Sequence, residues 1–257
     1  MFSSTFCKQF SLKASIVTLI GIASLVNATP SSAAVINGGF EQGFNNWETF
    51  GSTSIETAQY GIKPTQGTQQ AKLDTFCPPL PIGDCKANGN YVELAEFLGL
   101  GMNDLDGLGN GEIYEGSAIK TSLTVEAGDI LTFDWNFLTE DRNATDFNDF
   151  AFVSLAQTVE ELADTFSTVP VSFVSLTEFD NQTGYKPFTY TFQTAGTYSL
   201  GIGVADVTDG SADSALLVDN ASLSRPGDST TVPEPSSLLG MLVVGALGVG
   251  SRFLRQN

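Results

Sequence analysis

The chain has no histidine among its 257 residues. That absence removes a Ser-His-Asp triad, a Cys-His nucleophile and any histidine-ligated zinc or copper centre. Basic residues are scarce too: 11 Lys and Arg stand against 29 Asp and Glu, a formal charge of −18. Nucleic-acid affinity rests on Lys and Arg neutralising phosphates, so nucleic acid is excluded as a partner. Contact with anionic lipid is disfavoured for the same reason. No P-loop and no G-x-G-x-x-G occurs, and the glycine-rich stretch from Gly99 to Gly111 has no Lys-Ser/Thr after it. No full EF-hand spacing is present either.

Cysteine is rare as well, with three residues. Cys7 falls in the leader described below, which leaves Cys77 and Cys85 flanking a proline-rich loop. An even pair in an oxidising compartment reads as a disulfide. Closing so small a loop is worth about 2–3 kcal/mol. A redox pair would need a C-x-x-C spacing, which is absent.

Long hydrophobic runs are confined to the two ends. Lys8 and Lys13 precede an apolar stretch from Ala14 to Ala28, and Ser32-Ala33-Ala34 supplies small residues for a cleavage site. This pattern is a secretory signal covering residues 1–34. At the other end Val232-Pro233-Glu234-Pro235 is followed by an apolar run and then by Arg252 and Arg255. Residues 235–257 have the length and glycine content of a transmembrane helix with a basic stop. The positive-inside tendency keeps those arginines in the cytoplasm and exports the rest.

Val-Pro-Glu-Pro, a Gly/Leu/Val helix and an arginine-containing tail resemble the PEP-CTERM sorting signal of Gram-negative bacteria and cyanobacteria. The resemblance implies an exosortase-type membrane protease as partner, acting near Pro233-Glu234-Pro235. It implies a final location in the cell envelope or outside the cell, with at least transient anchoring by the C-terminal helix.

Without the two terminal segments, which hold Lys8, Lys13, Glu234, Arg252 and Arg255, 7 basic and 28 acidic residues remain, a net of −21. Such a surface stays soluble and attracts divalent cations. The exported segment, Val35 to Val232, fits one domain, 35–225, with a linker at 226–234. Most of it alternates with a period of two. Ile119, Leu123 and Val125 share one face; after Ala127-Gly128-Asp129, so do Leu131, Phe133, Trp135 and Phe137. The spacing predicts a hairpin with a Gly-Asp turn. Phe150–Leu155, Val171–Leu176, Phe188–Phe192, Thr197–Val207 and Ala215–Leu223 read as further strands. Tyr91–Leu98 has helical composition, Met102–Leu108 adds a turn, and Val159–Asp164 reads as another short helix. The expected fold class is all-β, an antiparallel, jelly-roll-like β-sandwich with short helical insertions.

Two end motifs add detail. Ile36-Asn37-Gly38-Gly39-Phe40-Glu41 with Trp47, and Leu217-Val218-Asp219-Asn220-Ala221-Ser222-Leu223, resemble the first and last strands of galactose-binding-like jelly rolls found in carbohydrate-binding modules. The resemblance implies adjacent end strands and a structural calcium ion at Glu41 and Asp219, with backbone carbonyls near Asn37 or Gly39. Calcium needs several oxygen ligands at once. Two acidic loops, Glu140–Asp149 and the one holding Asp206, Asp209 and Asp213, are further calcium candidates; each also reads as a solvated loop. Tyr60, Tyr91, Tyr114 and Tyr185 are candidates for stacking on sugar rings, and Trp47 and Trp135 are expected in the core. The chain therefore reads as an exported, non-enzymatic envelope or extracellular-matrix protein that binds polysaccharide, exopolysaccharide being the expected partner. A structural or adhesive surface protein without sugar affinity is the alternative. A glycan hydrolase needs only two carboxylates, so residue type does not exclude it.

Overall fold

The computed structural model describes residues 35–76, 91–108, 110–140, 147–170, 177–208 and 212–225. All the described residues belong to one compact unit. The leader, Cys77 and Cys85, Val171–Leu176, and the linker with Val232, Pro233, Glu234, Pro235, Arg252 and Arg255 lie outside the described residues. Among the described residues no helix is long and apolar enough to cross a membrane.

Thirteen strands are described, and the alternation of apolar residues explains how most of them pack. β1 (Glu41–Phe44) comes first. One sheet has five strands in the order β2 (Glu48–Phe50), β5 (Ile113–Val125), β12 (Gly196–Val207), β7 (Phe150–Leu155) and β8 (Thr158–Asp164). The other has seven: β3 (Ser52–Thr57), β4 (Gln69–Asp74), β13 (Ser214–Ser224), β6 (Ile130–Thr139), β10 (Asn181–Gln182) and β9 (Val169–Pro170), with β11 (Lys186–Thr191) also on β6. All pairings are antiparallel. The all-β sandwich expected from alternation is present.

The inner faces meet as expected. Ile119, Leu123 and Val125 of β5 face Leu131, Phe133, Trp135 and Phe137 of β6 in one buried cluster that also holds Phe40 and Trp47. Each fully buried Phe or Leu there contributes roughly 1.5–3 kcal/mol. Ser117 ties the layers together: its Oγ donates to the Asp74 carbonyl at 2.6 Å and accepts from the Ser52 N–H at 2.7 Å. A second cluster lies on the outer side of the five-stranded sheet. There α1 (Tyr91–Leu98) lays Leu94 and Leu98 on Ala118, Phe150 and Phe152.

Two sequence expectations are corrected. The β5–β6 connection is not a hairpin. β5 pairs with β2 and β12, whereas β6 pairs with β13, β10 and β11, so the turn at Ala127–Asp129 crosses from one sheet to the other. Both strands bury one face, and alternation reports that burial without saying whether the neighbour lies beside or opposite. Val159–Asp164 is not a helix. It belongs to β8, which returns along β7 after a tight turn at Ala156 (φ 57°). Its Glu-Glu-Leu-Ala composition favours a helix, and cross-strand pairing overrides that weak preference.

Candidate functional site

The two end motifs converge on one loop. Residues 65–69 lead into β4 and lie between Glu41 of β1 and Asp219 of β13. Glu41 Oε1 accepts from the N–H of Thr68 at 2.6 Å and of Gln69 at 2.8 Å, and its Oε2 accepts from the Thr68 hydroxyl at 2.7 Å. Asp219 Oδ2 accepts from the Gln66 N–H at 2.7 Å and the Thr65 hydroxyl at 3.2 Å; its Oδ1 accepts from the Asn220 N–H at 2.7 Å.

Each letter of the first motif has a local task. Asn37, at φ 59°, donates its amide to the Gly43 and Asn45 carbonyls at 2.8 and 2.9 Å and accepts from the Gln42 N–H. Gly38 lies flat against β13: a Cβ there would stand 1.8 Å from the Ala221 carbonyl oxygen, and its own carbonyl takes the Ala221 N–H at 2.9 Å. Only glycine permits that approach. Phe40 packs on Trp47 with ring centroids 5.4 Å apart. In the second motif the β13–β6 register shifts between Asp219 and Ser222, and Asn220, at φ 54°, reaches Asp134 Oδ2 at 3.1 Å.

The two carboxyls differ in charge balance. The Thr68 N–H and hydroxyl and the Gln69 N–H hold Glu41 below its ordinary pKa. Burial pushes Asp219 up in spite of its N–H donors. Among the described residues no group of three or more Asp, Glu, His or Cys side chains is placed to hold a metal ion. Oxygen atoms of another kind are present. The point where a Cβ on Gly39 would stand is 2.2 Å from Gln66 Oε1 and 3.8 Å from Asp219 Oδ1, so an amide and a carboxylate oxygen face the space that glycine leaves. They are two oxygens, where calcium takes roughly six to eight.

Of the two acidic loops, residues 141–146 and Asp209 lie outside the described residues; Glu140, Asp149, Asp206 and Asp213 are described. The Glu140 N–H donates to the Asp213 carbonyl at 3.0 Å. Asp149 accepts from the Val207 N–H at 2.9 Å and the Ser214 hydroxyl at 2.6 Å. Next to them sits Glu115, opposite Asp206 on the neighbouring strand. Sequence reasoning missed it, because one glutamate in an alternating strand carries no signal of its own. Glu115 is 8% exposed, and its carboxyl accepts no hydrogen bond among the described residues. Burial, then the charges of Asp213 and Asp74, push it up to about 7. Burial and the charges of Asp74 and Glu140 likewise raise Asp213 to about 6.

Of the four loop tyrosines, Tyr60 and Tyr185 come together. They pack half-buried with Phe179, Leu138 and Leu217 on the outer face of the seven-stranded sheet. The Tyr185 hydroxyl donates to Gln70 Oε1, and Asn136 donates to Gln182 Oε1 at 2.9 Å on the same face. Lys72 lies beside them, 2.7 Å from Asp74 and 2.8 Å from Glu178, with its ammonium 5.1 Å from the Tyr60 ring centre. Tyr91 and Tyr114, expected in or near loops, lie in regular elements: Tyr91 is the first residue of α1 and packs against the outer cluster of the five-stranded sheet, and Tyr114 is in β5. Trp47 and Trp135 are buried, as expected.

Residues 231–256 match the PEP-CTERM protein-sorting motif. That motif marks an exported, cell-surface protein. No curated protein matches the chain. Three similar solved structures are sandwich domains of low identity. TmCBM61 in complex with β-1,4-galactotriose is 13% identical, with a TM-score of 0.38, covering 74% of this chain and 97% of that one. The Family 16 Carbohydrate Binding Module-2 is 12% identical, with a TM-score of 0.34, covering 73% and 96%. The K3 cleaved adhesin domain of Lys-gingipain from Porphyromonas gingivalis is 14% identical, with a TM-score of 0.38, covering 75% and 99%.

Proposed function

We propose that the chain is a non-enzymatic envelope or extracellular-matrix protein whose sandwich binds polysaccharide, and that an exosortase-type protease processes its C-terminal motif. The observation that carries the binding half is the outer face of the seven-stranded sheet. There the half-buried Tyr60 and Tyr185 rings stand over Gln70 and Asn136, buried amides whose own hydrogen bonds hold the face in place, with the partly exposed Gln182 beside them. Aromatic faces stack on the C–H side of a sugar ring, and a partly exposed amide such as Gln182 can donate to its hydroxyls. Incubating the exported protein with exopolysaccharide from its own cells tests this. Retention that weakens in Tyr60→Ala, with an unchanged circular dichroism spectrum, supports it; no retention at any calcium concentration contradicts it.

A structural calcium ion belongs to the same proposal. Asp219 and Gln66 would hold it while Glu41 braces the loop through Thr68 and Gln69, and the ion would neutralise a buried carboxylate. The expected outcome is a melting temperature that falls on chelation in the wild type and stays put in Asp219→Ala.

Glu115 favours a second reading. A buried carboxyl that is protonated near neutral pH, beside Asp213, has the character of a general acid in glycoside hydrolysis. Cleavage of a glycan panel that disappears in Glu115→Gln would establish it.

A further inference from the structure

A second place on the molecule has the size and lining of a sugar site, and it rests on the polysaccharide reading above. β5 runs for thirteen residues, but on its outer edge β2 covers only Ala118–Lys120. Past that point a groove of about 410 Å³ opens along the uncovered edge. Its floor is Trp47 and Leu123, both nearly fully buried, and its wall is Ile36, 65% exposed. Its rim is polar: Glu48, Lys120 and Ser122.

The rim decides which ligand fits. Lys120 Nζ stands 3.4 Å from Glu48 Oε2, donates to the Phe97 carbonyl at 2.8 Å and lies 4.4 Å from the Phe97 ring centre. The ammonium is pinned and already neutralised, so it is not a free anchor for an anion. The Glu48 side chain is 72% exposed, and its charge balances that of the ammonium, so the rim carries no net charge. An acidic glycan would also approach an exported segment of net charge −21. What remains is a rim without net charge, with one pinned ammonium and one solvent-facing carboxylate, above an apolar floor. That combination complements a neutral polyhydroxylated ring, whose hydroxyls bridge ammonium and carboxylate while its C–H face lies on apolar carbon.

The geometry points to the β2–β5 groove as a binding site for neutral sugar residues, separate from the tyrosine-bearing sheet face. The volume lies in the range of small-ligand sites, roughly 300–1,000 Å³.

The test uses the exported protein, labelled with ¹⁵N and titrated with neutral galactan and glucan oligosaccharides, then with alginate and polygalacturonate fragments. The indole N–H signals of Trp47 and Trp135 are followed. The Trp47 signal should move with a neutral oligosaccharide and stay still with the acidic ones. Ser122→Arg, at an exposed position, should weaken that titration at least tenfold and leave the Trp135 signal in place. Binding of neutral oligosaccharide that leaves Trp47 unmoved and is indifferent to Ser122→Arg overturns the groove and spares the broader reading. A Trp47 shift with alginate overturns the neutral-ligand assignment. Binding of no glycan at all overturns the groove together with the reading it rests on.

Discussion

Glu41 and Glu115 are the same side chain in opposite circumstances. Glu41 is exposed and accepts three hydrogen bonds from the 65–69 loop, and its pKa falls. Glu115 is buried, accepts none among the described residues, and its pKa climbs to about 7. Two aspartates complete the series. Asp219 is as buried as any residue but is fed by backbone N–H groups. Asp129, also 0% exposed, is held by Arg225 at 2.8 and 3.1 Å, and the arginine keeps its pKa low. The comparison teaches that a buried carboxylate here is structural where donors converge on it. Where they are withheld, it stays poised between charged and neutral.

The largest test of that contrast is Asp219→Ala. It strands the Gln66 and Asn220 N–H groups, and a urea titration should show a loss of about 2–4 kcal/mol. Next is Arg225→Gln, which takes the positive charge from Asp129 and leaves it the Glu126 N–H. A loss of about 2–3 kcal/mol is expected in the same titration; no loss would mean that Asp129 does not need its partner.

Glu115→Gln should act in the opposite direction. Its folded pKa is raised, so its favourable contribution is complete below about pH 4.5 and disappears as pH rises through about 7. The amide removes that loss. The variant should therefore match wild type at pH 4.5 and exceed it at pH 8, by about 1–2 kcal/mol after allowing for solvent screening. Equal stability at both pH values would refute the poised carboxyl.

Glu41→Gln should show the smallest effect and the reverse pH dependence. A lowered pKa contributes stability above about pH 4.5 that fades as the solution is acidified. The variant and wild type should converge in acid.

Some of this was legible in the sequence. The parity of Ile119, Leu123, Phe133 and Phe137 named the core before any coordinates, because burial of one strand face writes a period of two. The end motifs also forecast that the two ends of the domain would lie side by side, and the Ala221 N–H donates to the Gly38 carbonyl; Glu41 and Asp219 hold different parts of the 65–69 loop. The partners of the strands were not legible: β5 and β6 bury facing surfaces from different sheets, and facing neighbours and lateral neighbours leave the same alternation. Nor were β3 and β4. Ser52-Thr53-Ser54 and Gln69-Gln70 carry hydroxyls and amides where apolar residues would have signalled strands. Glu115 was invisible because its condition depends on Asp74 and Asp213, which are distant in sequence.

Affinity electrophoresis tests the central claim most directly: the exported protein is run through native gels with and without the matrix polysaccharide of the cells that make it. The account expects migration to slow in proportion to the embedded polysaccharide, and the polymer to be recovered uncut. Identical mobility in both gels would contradict it.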